Sequence, residues 1–273
     1  MIQILLASLA FSTFPVSPSF FQGQLPSIVQ NEDTLITETS SPIFIQTASI
    51  SDIENLSGGN FGAAVIDLNT GDILASSGSG IFPVDDPDIF MLAFAIELML
   101  EGKLDPDTLV GRNITIADEF SRAFHDCRES AARAMWTVGL ESVSSWVASK
   151  GMNDTELHDI QLEWEGAPVA SPSLSSLEDV TQALRIIHSG MDIPAVPEIM
   201  EDPDMGEGQA LSVGQGWDLY GWVDTGQDHK TYVLIAIAPD GRERGLVLIS
   251  KDLCCEEKGD LAMMLLWQAS LGM

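Results

Sequence analysis

From Asp88 to Glu101 the chain reads DIFMLAFAIELMLE, and Glu97 is its one internal charge. A helix that is apolar on nearly every side has no face to give to water, so it must sit centrally with other elements packed around it. The flanks fix its ends. Pro87 suits a first helical position, Asp86 and Asp88 suit the positive end of the helix dipole, and Gly102 stops the helix. The apolar stretch has core-helix length and falls short of the ~20 residues that a bilayer span needs.

The patterning on either side of this helix is different. Residues 61–67 form an apolar run, Leu68-Asn69-Thr70-Gly71 carries turn chemistry, and residues 72–77 return, which predicts a β-hairpin ended by Gly78 and Gly80. Those glycines lack the following Lys and Thr of a phosphate loop and read as a turn. Ser51 and Glu54 form a capping-box pattern that predicts a short helix before the hairpin.

Residues 106–205 are mainly helical in pattern, with helices predicted over 117–124, 127–138 and 140–150. A further helix, capped by Ser173 or Ser176, runs to His188 and ends at Gly190, while residues 152–172 and 192–209 read as loops. Trp136 and Trp146 fall at helix-core positions, and Trp217 and Trp222 at a sheet edge. His158, His188 and His229 read as isolated surface or helix-end residues.

The last third returns to strand-like runs at 219–223, 232–238 and 245–250, the latter two joined by Pro239-Asp240-Gly241. An amphipathic helix is predicted over 257–271. Two strands in front and three behind enclose the helical block. This order predicts an α/β (α+β) fold: an antiparallel sheet of about five strands flanked by helices, with an inserted all-helical subdomain over about 106–205.

The 273 residues are 45% hydrophobic, enough for a sizeable core. Acids outnumber bases 41 to 12, for a net charge of −29. Such a surface repels nucleic acid and anionic lipid and argues for solubility before it argues for any partner. Residues 1–20 hold an apolar run over 2–14 of signal-peptide length, though no Lys or Arg precedes it. It reads as a signal peptide or an apolar arm. The first reading implies a secreted or periplasmic protein, the second leaves a cytoplasmic one open, and neither provides a stable membrane span. Residues 21–50, rich in Ser, Thr, Gln and Pro, read as a linker to a domain over 51–273. The three cysteines, Cys127, Cys254 and Cys255, are too few for a disulfide framework and lack zinc-ligand spacing. Three ordinary thiols, or one bridge from Cys127 to Cys254 or Cys255, both fit.

The order of motifs resembles the class A β-lactamase and penicillin-binding-protein family of serine hydrolases. Val65-Ile66-Asp67-Leu68-Asn69-Thr70-Gly71 is similar to the family's opening hairpin, Phe82-Pro83-Val84 to the approach to its nucleophile helix, and Glu101-Gly102-Lys103-Leu104-Asp105 to that helix's end. Phe124-His125-Asp126-Cys127 resembles the second motif, and Trp222-Val223-Asp224-Thr225-Gly226 the third. The resemblance spans roughly residues 51–273 and implies a β-lactamase-like fold with no cofactor and no metal.

It also implies a site with three parts. A Ser attacks an acyl carbon with a Lys one helical turn on, a Ser-Asp-Asn segment presents a hydroxyl and an amide, and a Lys-Thr-Gly segment on an edge strand receives a carboxylate. This sequence departs from each. The Ser position falls at Asp85 or Asp86 and the Lys position at Asp88 or Ile89, and no Ser occurs between residues 81 and 97. The second segment is His125-Asp126-Cys127, and the third is Asp224-Thr225-Gly226, where an acid replaces the Lys. Glu163 or Glu165 stands near the family's water-activating Glu, with no acyl-enzyme to hydrolyse.

Carboxylates at 85, 86, 88, 126 and 224 would make the cleft acidic. Two like charges about 4 Å apart repel by roughly 4 kcal/mol at an effective dielectric of about 20, which disfavours an anionic substrate. The expectation is a non-catalytic binding or scaffold protein for an unidentified small-molecule, peptide or protein ligand. The alternative is an active hydrolase with relocated residues, such as a Cys127–His125 pair or an Asp85 or Asp86 nucleophile. Asp85-Asp86-Pro87-Asp88 and Glu201-Asp202-Pro203-Asp204 are oxygen-rich, but neither matches a calcium-loop pattern.

Overall fold

The strand-like runs near the two ends of the chain pair with each other. This is seen in a computed structural model that describes residues 49–51, 53, 60–84, 88–124, 128–160, 172–201, 216–225, 229–251 and 256–271. Strands β1 (Phe61–Asp67) and β2 (Ile73–Ser77) come from the front of the chain, and β7 (Asp218–Thr225), β8 (Lys230–Ile237) and β9 (Glu243–Ser250) from the back. They form one antiparallel sheet in the order β2-β1-β9-β8-β7. β1 lies along the last strand, with Phe61 opposite Ser250 and Asp67 opposite Arg244.

Both faces of the sheet are covered, which is why its central strands read as nearly unbroken apolar runs. Ala64, Ile66, Val233, Ile235, Val247 and Ile249 point into one core with the helical block. Phe61, Ala63, Val65, Tyr232, Leu234, Leu246 and Leu248 point into a second core, under the C-terminal helix (Glu256–Leu271). There Trp217 and Trp267 meet edge to face, with ring centroids 5.2 Å apart.

The helical block holds α1 (Asp88–Leu100), α2 (Ile116–Phe124), α3 (Arg128–Val138), α4 (Leu140–Ser149), α5 (Leu177–Ser189) and α6 (Ala195–Met200), with the C-terminal helix as α7. α1 is the central helix that its sequence demands, with Ile89, Phe90, Met91, Leu92, Ala93, Ala95 and Ile96 all buried. Its single internal charge is answered by an ion pair, Lys150 Nζ lying 2.5 Å from Glu97 Oε2. Gly102 ends it with φ +68, a left-handed conformation that favours glycine. Ser176 caps α5 by accepting the Asp179 N–H at 3.2 Å. Among the described residues no helix is long and apolar enough to cross a membrane.

The structure corrects the sequence expectation at several points. Two short ladders were not predicted: β3 (Ile81–Val84) with β6 (Ser173–Ser176), and β4 (Leu109–Gly111) with β5 (Ile114–Thr115). Each strand is at most four residues long. Pro83, which has no N–H to give, further weakens the strand signal of β3. The loop expected over 192–209 contains α6, whose Val196, Ile199 and Met200 are buried at helical spacing. Pro197 lies in the first turn of that helix, where no intrahelical donor is lost. Trp136, expected in the core, is 68% exposed on α3, because Ala131, Ala132, Ala134 and Met135 supply the buried face. His229, expected at the surface, is buried at the start of β8, and His188 in the last turn of α5 meets the Glu243 carboxylate. Trp217, expected at a sheet edge, is buried against α7. The three cysteines and the second half of the short helix at Ser51 lie outside the described residues.

Candidate functional site

Four features of the fold carry or flank the candidate residues. β3 delivers the chain to the start of α1, and its pairing with β6 (Pro83 opposite Leu174, Val84 opposite Ser173) fixes that approach. α2 and α3 flank residues 125–127, and both pack on α1. β7 is the outer strand of the sheet, and its last residues, Asp224 and Thr225, lie opposite Thr231 and Lys230 of β8. Residues 157–160 and 172 border the segment that carries Glu163 and Glu165.

Of the candidate residues, Asp88 and Ile89 are described in full. Asp88 opens α1 and is only 2% exposed, at the end of the helix where the dipole favours a negative charge. Ile89 is buried hydrocarbon in the core. Asp224 and Thr225 are described by their backbone in β7. Asp85, Asp86, His125, Asp126, Cys127, Glu165 and Gly226 lie outside the described residues, as do Asp202 and Asp204 of the second oxygen-rich stretch. Among the described residues no group of three or more His, Cys, Asp or Glu side chains is arranged to hold a metal ion.

Two charged groups near this frame escaped the sequence reading. Glu119 of α2 is buried, and Arg133 of α3 donates Nε–H to its Oε1 at 2.8 Å and Nη2–H to the Ser130 hydroxyl at 3.0 Å. The pair ties α2 to α3 across residues 125–127. Its members are fourteen positions apart on separate helices, so no short-range pattern announces it. Lys230 is also buried, opposite Thr225, and donates to the Tyr232 hydroxyl at 3.4 Å. A signal existed here: a lysine heads a strand that is apolar on both faces, and an ammonium cannot be buried there cheaply.

Beneath β6, Asp179 joins the base of the 157–172 segment to α5. It accepts the Asp154 N–H at 3.0 Å and the Thr155 hydroxyl at 2.8 Å, and Thr155 also contacts Ser175 at 2.8 Å. Burial pushes the Asp179 carboxyl above its ordinary range, and the nearby Asp154 and Glu178 carboxylates add to this against the pull of the hydrogen bonds. A carboxyl whose folded value is raised contributes stability that is complete below the unfolded value of about 3.9 and is lost as pH rises through the folded value. Asp179→Asn cannot ionise, so the stability difference between variant and wild type should move in the variant's favour between pH 4 and pH 7. Urea unfolding at a series of pH values measures this, and a difference that stays constant with pH contradicts it.

An ancestral class A β-lactamase superposes with TM-score 0.63 at 16% identity, over 82% of this chain and 96% of that one. A variant of the last common ancestor of Gram-negative bacteria β-lactamase class A gives TM-score 0.62 at 17% identity, over 82% and 95%. The fold is β-lactamase-like. No family model matches the sequence, and no curated protein does. The likeness is therefore carried by the arrangement of elements: the five-stranded sheet, the central helix and the helical block.

Proposed function

We propose that this β-lactamase-like domain binds a ligand without hydrolysing it. The observation that carries the proposal is the first turn of α1, where Ile89 contributes buried hydrocarbon and Asp88 a buried carboxylate. Acyl transfer of the Ser-x-x-Lys kind that the resemblance implies needs a hydroxyl and, one helical turn on, an amine. Neither group is present on α1, whose sequence contains no Ser, Thr, Lys or Cys. The sequence at Asp85 and Asp86 supports the same reading, since neither supplies the hydroxyl. A fold by itself does not bring its relatives' chemistry with it.

The purified protein is expected to give no turnover of a chromogenic cephalosporin and no mass increase after incubation with a fluorescent penicillin. A stable acyl adduct overturns the proposal. An adduct that disappears in Cys127→Ala would assign the activity to a relocated nucleophile instead.

A further inference from the structure

Residues 156–158 and 172–174 are drawn together by a small set of bonds. Glu156 and Leu174 exchange both backbone hydrogen bonds, at 2.8 and 2.9 Å. Next to them the His158 N–H donates to the Ser173 hydroxyl at 3.0 Å. The His158 ring adds two contacts. Its Nδ1 lies 2.9 Å from the Pro172 carbonyl oxygen, and its Nε2 lies 3.1 Å from Glu156 Oε1.

Both of those oxygens are acceptors. A carbonyl oxygen has no proton to give, and neither does an ionised carboxylate. Each ring nitrogen must therefore carry a proton for both contacts to be hydrogen bonds. Only the imidazolium does so. In the neutral ring, whichever tautomer forms, one nitrogen turns a lone pair towards an oxygen lone pair, and that contact becomes repulsive.

We propose that His158 is a pH-sensitive clasp: protonated, it fastens residues 156–158 to 172–174, and neutral, it releases one side of that fastening. The charges around it favour the fastened form. On its own stretch the ionisable neighbours are Asp154, Glu156 and Asp159. Across the clasp Pro172, Ser173 and Leu174 carry none, and from α5 below come Glu178 and Asp179, the latter bonded to Thr155. Among the described residues, all of these are carboxylates. Free imidazole changes charge at about pH 6.5, inside the window that the test below spans. His158 is 33% exposed in its side chain and Glu156 70%, so each contact is a modest one and the effect is local.

Amide hydrogen exchange reads the clasp directly through the Glu156 and Leu174 N–H groups. After correction for intrinsic rates, with buried β8 amides as the reference for global stability, protection of these two amides should be about two- to fivefold greater at pH 5.5 than at pH 8. In the Asp179→Asn background, which removes the other titrating group bonded to this stretch, adding His158→Gln should bring the ratio to one. In the wild-type protein the His158 ring nitrogens, followed by nitrogen NMR, should both carry protons at pH 5.5, and their titration midpoint should coincide with that of the amide protection. Equal protection at the two pH values, a ratio that persists when His158→Gln is added to Asp179→Asn, or midpoints that do not coincide each overturn the proposal. The wild-type titration decides the matter even if the variant does not fold.

Discussion

Phe90→Ala is expected to lower the unfolding free energy by about 3–5 kcal/mol. Phe90 is fully buried near the start of α1, and Ile89, Met91, Leu92 and Ala93 around it are buried as well. Truncating the ring removes its transfer free energy and leaves a cavity that the surrounding helices cannot collapse into without moving α1 itself. Natural domains of this kind have about 5–15 kcal/mol of stability in total, so the loss is a large fraction of it. A urea titration with an unchanged m-value and a much lower midpoint is the expected result. A loss below about 1 kcal/mol would mean that α1 is not the packing centre of the fold.

Gly78→Ala should cost a comparable amount through a different mechanism. Gly78 has φ +84, and a Cβ placed there would lie 1.8 Å from the backbone oxygen of Phe61 and 2.7 Å from its carbonyl carbon. The obstruction is the main chain of β1, which is itself held against β9 through the Phe61–Ser250 position. Relief therefore requires shifting a strand, and a loss above about 3 kcal/mol is expected. Gly71→Ala provides the comparison. Its φ is +80 but nothing lies within 4 Å of the added carbon, so only the backbone cost of about 1 kcal/mol should appear. Similar losses in the two variants would show that the conformation, not the close approach, decides the effect.

How far the fold could be read from the sequence follows from the length and burial of each element. α1 announced itself because thirteen residues with one internal charge leave no other arrangement. β8 and β9 were legible because each carries a continuous apolar run, Tyr232–Ile237 and Leu246–Ile249, at the length of a buried strand. The β3–β6 and β4–β5 pairs were not, since a pattern of two to four residues cannot separate a strand from a loop. Trp136 shows a second kind of failure. Helical periodicity places a side chain on a face, but small alanines on the neighbouring face made that one the core. At the site, the residue types at 88 and 89 were readable as a departure from the serine hydrolases. The Glu119–Arg133 pair was not readable, because only the packing of two helices brings its halves together.

The place of β9 in the sheet has a consequence during synthesis. β9 separates β1 from β8, and the ion pair that marks the β1–β9 junction, Asp67 with Arg244, joins residues 177 positions apart. At about 5–20 residues per second, a ribosome takes on the order of ten seconds or more to deliver the partner of β1 after β1 itself has emerged. Throughout that interval one edge of an apolar strand is unpaired, with β2 covering only the other edge. A nascent chain of this protein therefore depends on whatever shields that edge in the cell, and a product that stops before residue 243 keeps the hazard permanently.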